Sequence, residues 1–404
     1  VEASIQLSYD LLDANLQSRW RSLAVFPDTF DGAGAAAVWA VDTDAATDAL
    51  GDLLAFSMVE WNEVTRRYRL HDLARDFAAA HLSENEAESY AAQKRHATHY
   101  EQVLRRSCDL FLEGHDAILC GLKLFDDERA NIEAGQSWAA THAGQDEEAA
   151  RLCMNYLNAG AYVLQLRQRP RERMRYLEAS IYAAQRLQDR EAEGSLLVSL
   201  GIAWRNVGEP RRAIEFHEQG LEIARAIGCR QVEGSALGNI GLAYADLGEP
   251  SRSMKFYEDW LAIVRETGYR RGESNALGRI GNAYATLGDL HRAIEFYEQQ
   301  LTIAREISDP RGESNAIGNL GRAYADLGNL AHADEFYKKQ LEIARKIGYR
   351  RGEGNALWNM SLALDELGER AQATELAAAA LRIYEQIEDP NAARVRRRLA
   401  EWRG

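Results

Sequence analysis

The sequence predicts an all-α fold with one small β-hairpin, and three observations predict it. Ala, Leu, Glu, Arg and Ile, the residues that lose least on entering a helix, recur throughout, and only 6 of 404 residues are proline. Apolar residues stand at helical spacing, and a strict 40-residue period governs the second half, as it does where one supersecondary unit is stacked on its copies. At 46% hydrophobic and 27% charged, the chain has ample core material and exceeds one ordinary domain. Its 48 basic and 62 acidic residues leave a net charge of −14, which repels nucleic acid and anionic membrane at long range. A role on DNA would therefore need a local basic patch.

In chain order, the segment Ser4 to Asp31, SIQLSYDLLDANLQSRWRSLAVFPDTFD, predicts one amphipathic helix and a second that ends before Pro27. ALGDLLAFSMVEW, from Ala49, predicts a third helix, and VEWNEVTRRYRL alternates aromatic and apolar positions around a polar Asn62-Glu63 turn. Three helices followed by a hairpin describe a winged helix over residues 1–82. Its recognition region, Asp42 to Phe56, is acidic and carries no Lys or Arg, which argues against major-groove contact.

The residues LSYDLL, LQSRWRSLAVFPDTF and YRLHDLARDFA resemble the winged-helix segment of the NB-ARC, or STAND, type of signal-transduction ATPase. In this resemblance Leu70, His71 and Asp72 correspond to the family's Met-His-Asp signature, with Leu70 in place of Met. The resemblance implies that His71 senses the β-phosphate of ADP, which an imidazole can do by donating to a phosphate oxygen, while Asp72 stabilises the helix behind it. On the residues alone, a His-Asp pair at a helix start is an N-cap. No GxxxxGK[ST] loop occurs, so this chain is expected to be no enzyme by itself and to hold no cofactor. The resemblance puts ADP or ATP in an upstream nucleotide-binding domain of the full-length protein, which fits a chain that opens at Val1 without methionine. It also leaves room for an oligomer when that protein is activated.

Residues 83–148 read as a helical linker. KRHATHYEQVLRRS, from Lys94, and a Glu128-x-x-Asn131 element resemble the region that precedes the repeats in bacterial regulators of this group. His96, His99 and His115 lack acidic or Cys partners at fixed spacing and are expected at the surface, with no metal. Residues 149–192 read as a degenerate helix pair. Cys108, Cys120, Cys153 and Cys229 form no CxxC spacing and are expected as reduced core thiols of a cytoplasmic protein. No run reaches the roughly 20 apolar residues of a membrane span.

From 193 to 388 the period is explicit. Gly201-Ile202-Ala203-Trp204 recurs as Gly241-Leu242-Ala243-Tyr244, Gly281-Asn282-Ala283-Tyr284 and Gly321-Arg322-Ala323-Tyr324, each followed seven residues on by Gly208, Gly248, Gly288 and Gly328. Each unit reads as two helices, with that later glycine as left-handed C-cap and Pro210 or Pro250 opening the next helix. NALGRIGNAYATLGDLHRAIEFYEQQLTIAREI, from Asn275, is similar to the tetratricopeptide repeat in its 40-residue form. The resemblance implies a right-handed superhelix whose first helices line a concave groove, closed by a capping helix over 389–404.

In that register Ser235, Asn275, Asn282, Asn315, Arg322, Asn355 and Trp358 face the groove. An asparagine amide both donates and accepts, and so pairs with an extended peptide. Gly238, Gly278 and Gly318 interrupt helices at up to roughly 1 kcal/mol each. They read either as a groove floor without side chains or as close packing between helices. Asn239, Asn319 and Asn359 read as structural pairs between repeats, and Arg230, Arg270, Arg271, Arg311, Arg350 and Arg351 as a solvated ladder in the loops or a rim for an acidic partner. The expected function is the sensor portion of a bacterial STAND ATPase, with a protein or peptide trigger in the groove. The alternatives are a stand-alone repeat scaffold and a winged-helix transcription regulator.

Overall fold

The structure, a computed structural model, describes residues 2–113 and 116–403, and these cluster into two compact units, 1–207 and 208–404. His115 lies outside the described residues. The described chain is helical apart from one two-stranded hairpin. No described helix is long and apolar enough to cross a membrane.

The first unit begins with α1 (Glu2–Asp10), α2 (Ala14–Ser22), α3 (Gly32–Trp39) and α4 (Thr43–Ala55). Aspartates cap three of them: Asp13, Asp31 and Asp42 accept the backbone N–H of Leu16, Gly34 and Ala45 at 2.7 to 2.8 Å. Helix α3 is one more than the sequence predicts, because GAGAAAVW has no polar face to give it a period. Strands β1 (Glu60–Asn62) and β2 (Arg67–Arg69) pair antiparallel, with Trp61 opposite Tyr68. Their turn spans 63–66 instead of centring on Asn62-Glu63, since the Asn62 side chain accepts the N–H groups of Val64 and Thr65, both at 3.0 Å. Phe30 adds an isolated antiparallel bridge to Tyr68. Trp20, Leu23, Phe26, Phe30, Leu50 and Leu53 fill the core beneath.

Helix α5 (Asp72–Ser83) follows, then the long pair α6 (Glu86–Glu113) and α7 (Asp116–His142), then α8 (Glu147–Ala159), α9 (Ala161–Arg167), α10 (Pro170–Arg186) and α11 (Arg190–Asn206). His96 is not at the surface: it sits buried on α6 with its ring 5.1 Å from Phe26 and 4.6 Å from Tyr100. Burial disfavours the charged ring and lowers its pKa from 6.5 to about 4. No disulfide joins the four cysteines; Cys108 and Cys153 are core thiols as expected, whereas Cys120 is exposed and Cys229 half-buried.

The second unit comprises α12 (Pro210–Ile227), the pairs α13 (Arg230–Asp246) with α14 (Pro250–Glu266), α15 (Arg270–Thr286) with α16 (Leu290–Glu306), α17 (Pro310–Asp326) with α18 (Leu330–Lys346) and α19 (Arg350–Glu366) with α20 (Arg370–Gln386), then α21 (Asn391–Arg403). Three-residue connections hold the period. Gly248, Gly288, Gly328 and Gly368 take positive φ, and the next N–H returns to the helix, as Glu249 does to the Tyr244 carbonyl at 3.0 Å. The glycine of each Gly-x-Ala-Tyr motif makes room for an aromatic ring: a Cβ on Gly241 or Gly281 would stand 2.5 Å from Tyr257 or Tyr297.

The arginine ladder exists, but it starts helices instead of filling loops. Arg230 and Arg270 are first residues of α13 and α15, and each bonds Glu233 or Glu273 and, across the pair, Glu266 or Glu306. Arg225 and Arg265 reach the same two glutamates from the preceding helix, at 3.0 and 2.8 Å. Burial opposes ionisation of Glu233 and Glu273, yet the arginine hydrogen bonds outweigh it and hold both below the usual range.

Candidate functional site

The first helices of three successive pairs, α15, α17 and α19, line a cavity of about 510 Å³ in the second unit. Asn275, Asn282, Asn315, Arg322, Asn355 and Trp358, six of the seven groove residues expected, come together there, and Gly278, Gly318 and Ala325 lie among them. Ser235 lies exposed on α13 and outside this lining. Trp358 is not a presented contact. It is 6% exposed and belongs to the core that α21 completes, with its ring 6.3 Å from Trp402 and the Arg394 guanidinium over it at 5.8 Å. It is a wall at the end of the groove.

The groove amides are oriented by tyrosines. The Tyr297 hydroxyl donates to the Asn282 Oδ1 at 2.8 Å, and the Tyr384 hydroxyl to the Asn355 Oδ1 at 2.7 Å. With those oxygens engaged, the amide NH₂ groups remain as the donors. Burial raises the Tyr297 pKa to about 12 and pushes Tyr337 and Tyr384 upward as well, so all three stay neutral hydroxyls. Arg322 donates to Asn319 on its own helix at 2.7 Å.

Asn319 and Asn359, with Arg279 at the corresponding place, line the cavity instead of bonding a neighbouring repeat, while Asn239 donates to the Ser235 carbonyl of its own helix at 2.8 Å. The second helices contribute Gln300, Tyr337, Gln340 and Tyr384, and α21 contributes Asn391 and Arg394. None of these was expected. Positions 300 and 340 are polar on otherwise apolar faces, which is the one signal the sequence offers for them.

The glycines now have a physical account. A Cβ on Gly278 would stand 2.7 Å from the Gln300 amide, and Gly318 stands likewise under Gln340; Gly238 faces the ring of Trp260. Close packing within the pair is therefore what the glycines serve, and it admits an amide side chain onto the groove floor.

In the first unit, His71 is the N-cap of α5, its Nδ1 accepting the Leu73 N–H at 3.3 Å, and its ring is exposed. That bond places the proton of the neutral ring on Nε2, which faces no protein acceptor among the described bonds. Leu70 is buried beneath, and Asp72 bonds Arg75 at 3.0 Å. The Glu128-x-x-Asn131 element ties α7 to the hairpin. Arg67 of β2 donates two hydrogen bonds to the Glu128 carboxylate at 2.5 and 2.8 Å and a third to the Thr29 carbonyl at 2.9 Å, to which Asn131 also donates at 2.9 Å. No His, Cys, Asp and Glu group able to hold a metal occurs among the described residues.

A family model described as tetratricopeptide repeat matches residues 233–306 and 312–386. No curated protein sequence matches the chain. Among solved structures, a signal transduction ATPase with numerous domains (STAND) protein with a tetratricopeptide repeat sensor, from Pyrococcus horikoshii, is similar with a TM-score of 0.50 and 16% identity, over 96% of this chain and 59% of that one. Aspartyl phosphate phosphatase F from Bacillus subtilis is similar with a TM-score of 0.53 and 10% identity, over 77% and 94%. At such identities the likeness is one of fold, and the chain spans 59% of the STAND protein's length. Tetratricopeptide repeats thus form the greater part of the second unit, and their first helices line its groove.

Proposed function

We propose that this chain is the sensor portion of a STAND-type ATPase, in which the groove of α15, α17 and α19 binds a protein or peptide trigger. The observation that carries the reading is the groove itself: a 510 Å³ cavity with donors on Asn282, Asn355 and Arg322, held in place by tyrosine hydroxyls and a neighbouring amide. Such donors pair with peptide C=O groups, which recur along any extended segment. Tetratricopeptide repeats support a role in protein interaction, and the fold likeness to a STAND protein with a repeat sensor supports the larger context.

In this reading the first 82 residues form a winged helix that passes the state of the sensor to a nucleotide-binding domain. The order of α2, the Phe30 bridge, α3, α4 and the hairpin supports that topology, and acidic α4, with Asp44, Asp48 and Asp52, weighs against a DNA role. His71, with Nε2 carrying the proton, would donate to an ADP phosphate, and the Arg67–Glu128 pair would join the winged helix to the linker. The chain itself carries no catalysis. Coupling requires the trigger to favour one arrangement of the ATPase over another.

Selection of random short displayed peptides on this chain tests the groove. Peptides so recovered should lose about tenfold or more in affinity, about 1.4 kcal/mol, when Asn275, Asn315 and Arg322 are all alanine. Unchanged affinity would put the site elsewhere. In the full-length protein, His71→Ala should speed ADP release, and an unaltered rate would remove the sensing role.

A further inference from the structure

Two buried acceptors on the groove floor have no hydrogen-bond partner among the described residues. Gln300 is 5% and Gln340 3% exposed, both line the cavity, and the Oε1 of each lacks a hydrogen bond. Leaving such a group unpaired costs about 1–3 kcal/mol, so a residue kept in this state calls for a reason beyond packing. The fold does not supply one. At the same place in the other pairs stand Gly220, Trp260 and Ala380, so the repeat closes without an amide there. Moreover, each glutamine is seated over a glycine, Gly278 or Gly318, which gives up helix propensity to admit it.

The charges of the same cavity depart from the rest of the chain. Along the ladder arginines are paired with carboxylates, and the protein carries −14 overall. Arg279, Arg322 and Arg394 all line the groove, and none has a carboxylate within ion-pair distance among the described residues. The two acids of the lining, Asp326 and Glu366, are the last residues of α17 and α19 and stand exposed at the rim.

We infer that Gln300 and Gln340 are ligand-binding residues whose side-chain oxygens accept backbone N–H groups of an extended acidic peptide segment, its carboxylates met by Arg279, Arg322 and Arg394. The inference rests on the groove being the binding site and adds the chemistry of its occupant. Amide donors occur at every residue of an extended chain, so two acceptors at equivalent places in successive repeats suit a backbone that crosses both. Fixed cations with no carboxylate beside them among the described residues suit carboxylates of a ligand, with an association rate that falls as salt rises.

The test joins stability to binding. Methionine has nearly the shape of glutamine and no polar group to strand. Gln300→Met with Gln340→Met should therefore raise the melting temperature of the free chain by roughly 2–4 °C. The same change should weaken peptides selected on the unaltered chain by about tenfold. A lower melting temperature would make both glutamines structural and overturn the inference. The selected pool should be enriched in Asp and Glu over the starting library, and this enrichment should vanish when selection is repeated on the Arg279→Ala, Arg322→Ala, Arg394→Ala chain. A pool that binds the groove without acidic enrichment would overturn the charge class and leave the groove standing. A pool that binds the groove-alanine chain equally well would instead remove the groove.

Discussion

Left-handed backbone closes the second helix of the repeats at Gly228, Gly268 and Gly348, with φ between 68 and 70°, but at the same place Ser308 takes φ 53° and Glu388 takes 51°. A side chain there costs roughly 1–2 kcal/mol, offset in part by the freedom that glycine adds to the unfolded chain. Ser308→Gly should accordingly stabilise the protein by about 0.5–1 kcal/mol and raise its melting temperature by roughly 1–4 °C. Thermal unfolding decides this, and a fall would mean that the serine makes a compensating bond. Gly208, Gly248, Gly288 and Gly328, which close the first helices, were legible from their spacing because a left-handed turn admits few other residues. Gln300 and Gln340 were not, since a single polar residue on an apolar face reads the same whether it packs within the pair or lies on a groove floor. Trp358 lines the groove as its register implies, and its burial against α21 was the part the sequence did not show.

Among the elements, α6 carries the clearest pH dependence. His96 is buried with its pKa lowered from 6.5 to about 4 by loss of solvent, against a hydrogen bond to Asn131 that favours the charged ring, and it stands beside His99, itself lowered by burial against the pull of Asp31 and Glu128. A depressed histidine contributes stability that is full above pH 6.5 and is lost as the pH falls from there through about 4, because only the unfolded ring protonates in that window. The shift corresponds to about 3 kcal/mol. Melting curves of His96→Gln should show a flatter decline between pH 6.5 and 4 than those of the unaltered chain; an identical slope would assign the decline to other groups. The helix itself was legible. Its burial was not, since His96 and Tyr100 are four residues apart on a face covered by residues distant in sequence, Phe26 among them. The ladder shows a related limit. At the third rung Pro310 stands where Arg230, Arg270 and Arg350 stand, and the residue opposite, Glu266 or Glu306 in the first two pairs and Gln386 in the last, is Lys346. The two changes agree, because a glutamate there would have no arginine to meet and the lysine faces none.

At the level of the whole chain, the period alone was sufficient to read the paired helices of the second unit, since three-residue connections leave no slack for the register to slip. The first unit was legible in part. Its hairpin showed through alternation, whereas α3 and the division of residues 147–186 into three helices had no periodic signature. Groove membership followed from helix geometry on the first helices and failed on the second helices, whose side chains reach the floor only through gaps left by glycine. The acidic balance of −14 had argued against polyanions everywhere; within the cavity the three arginines reverse that sign and direct attention to an acidic peptide. Hydrogen exchange on the chain, with and without a peptide selected on it, tests this most directly. Slowed exchange in α15, α17 and α19, with the outer helices unaffected, is the predicted result, and slowed exchange confined to other helices would contradict it.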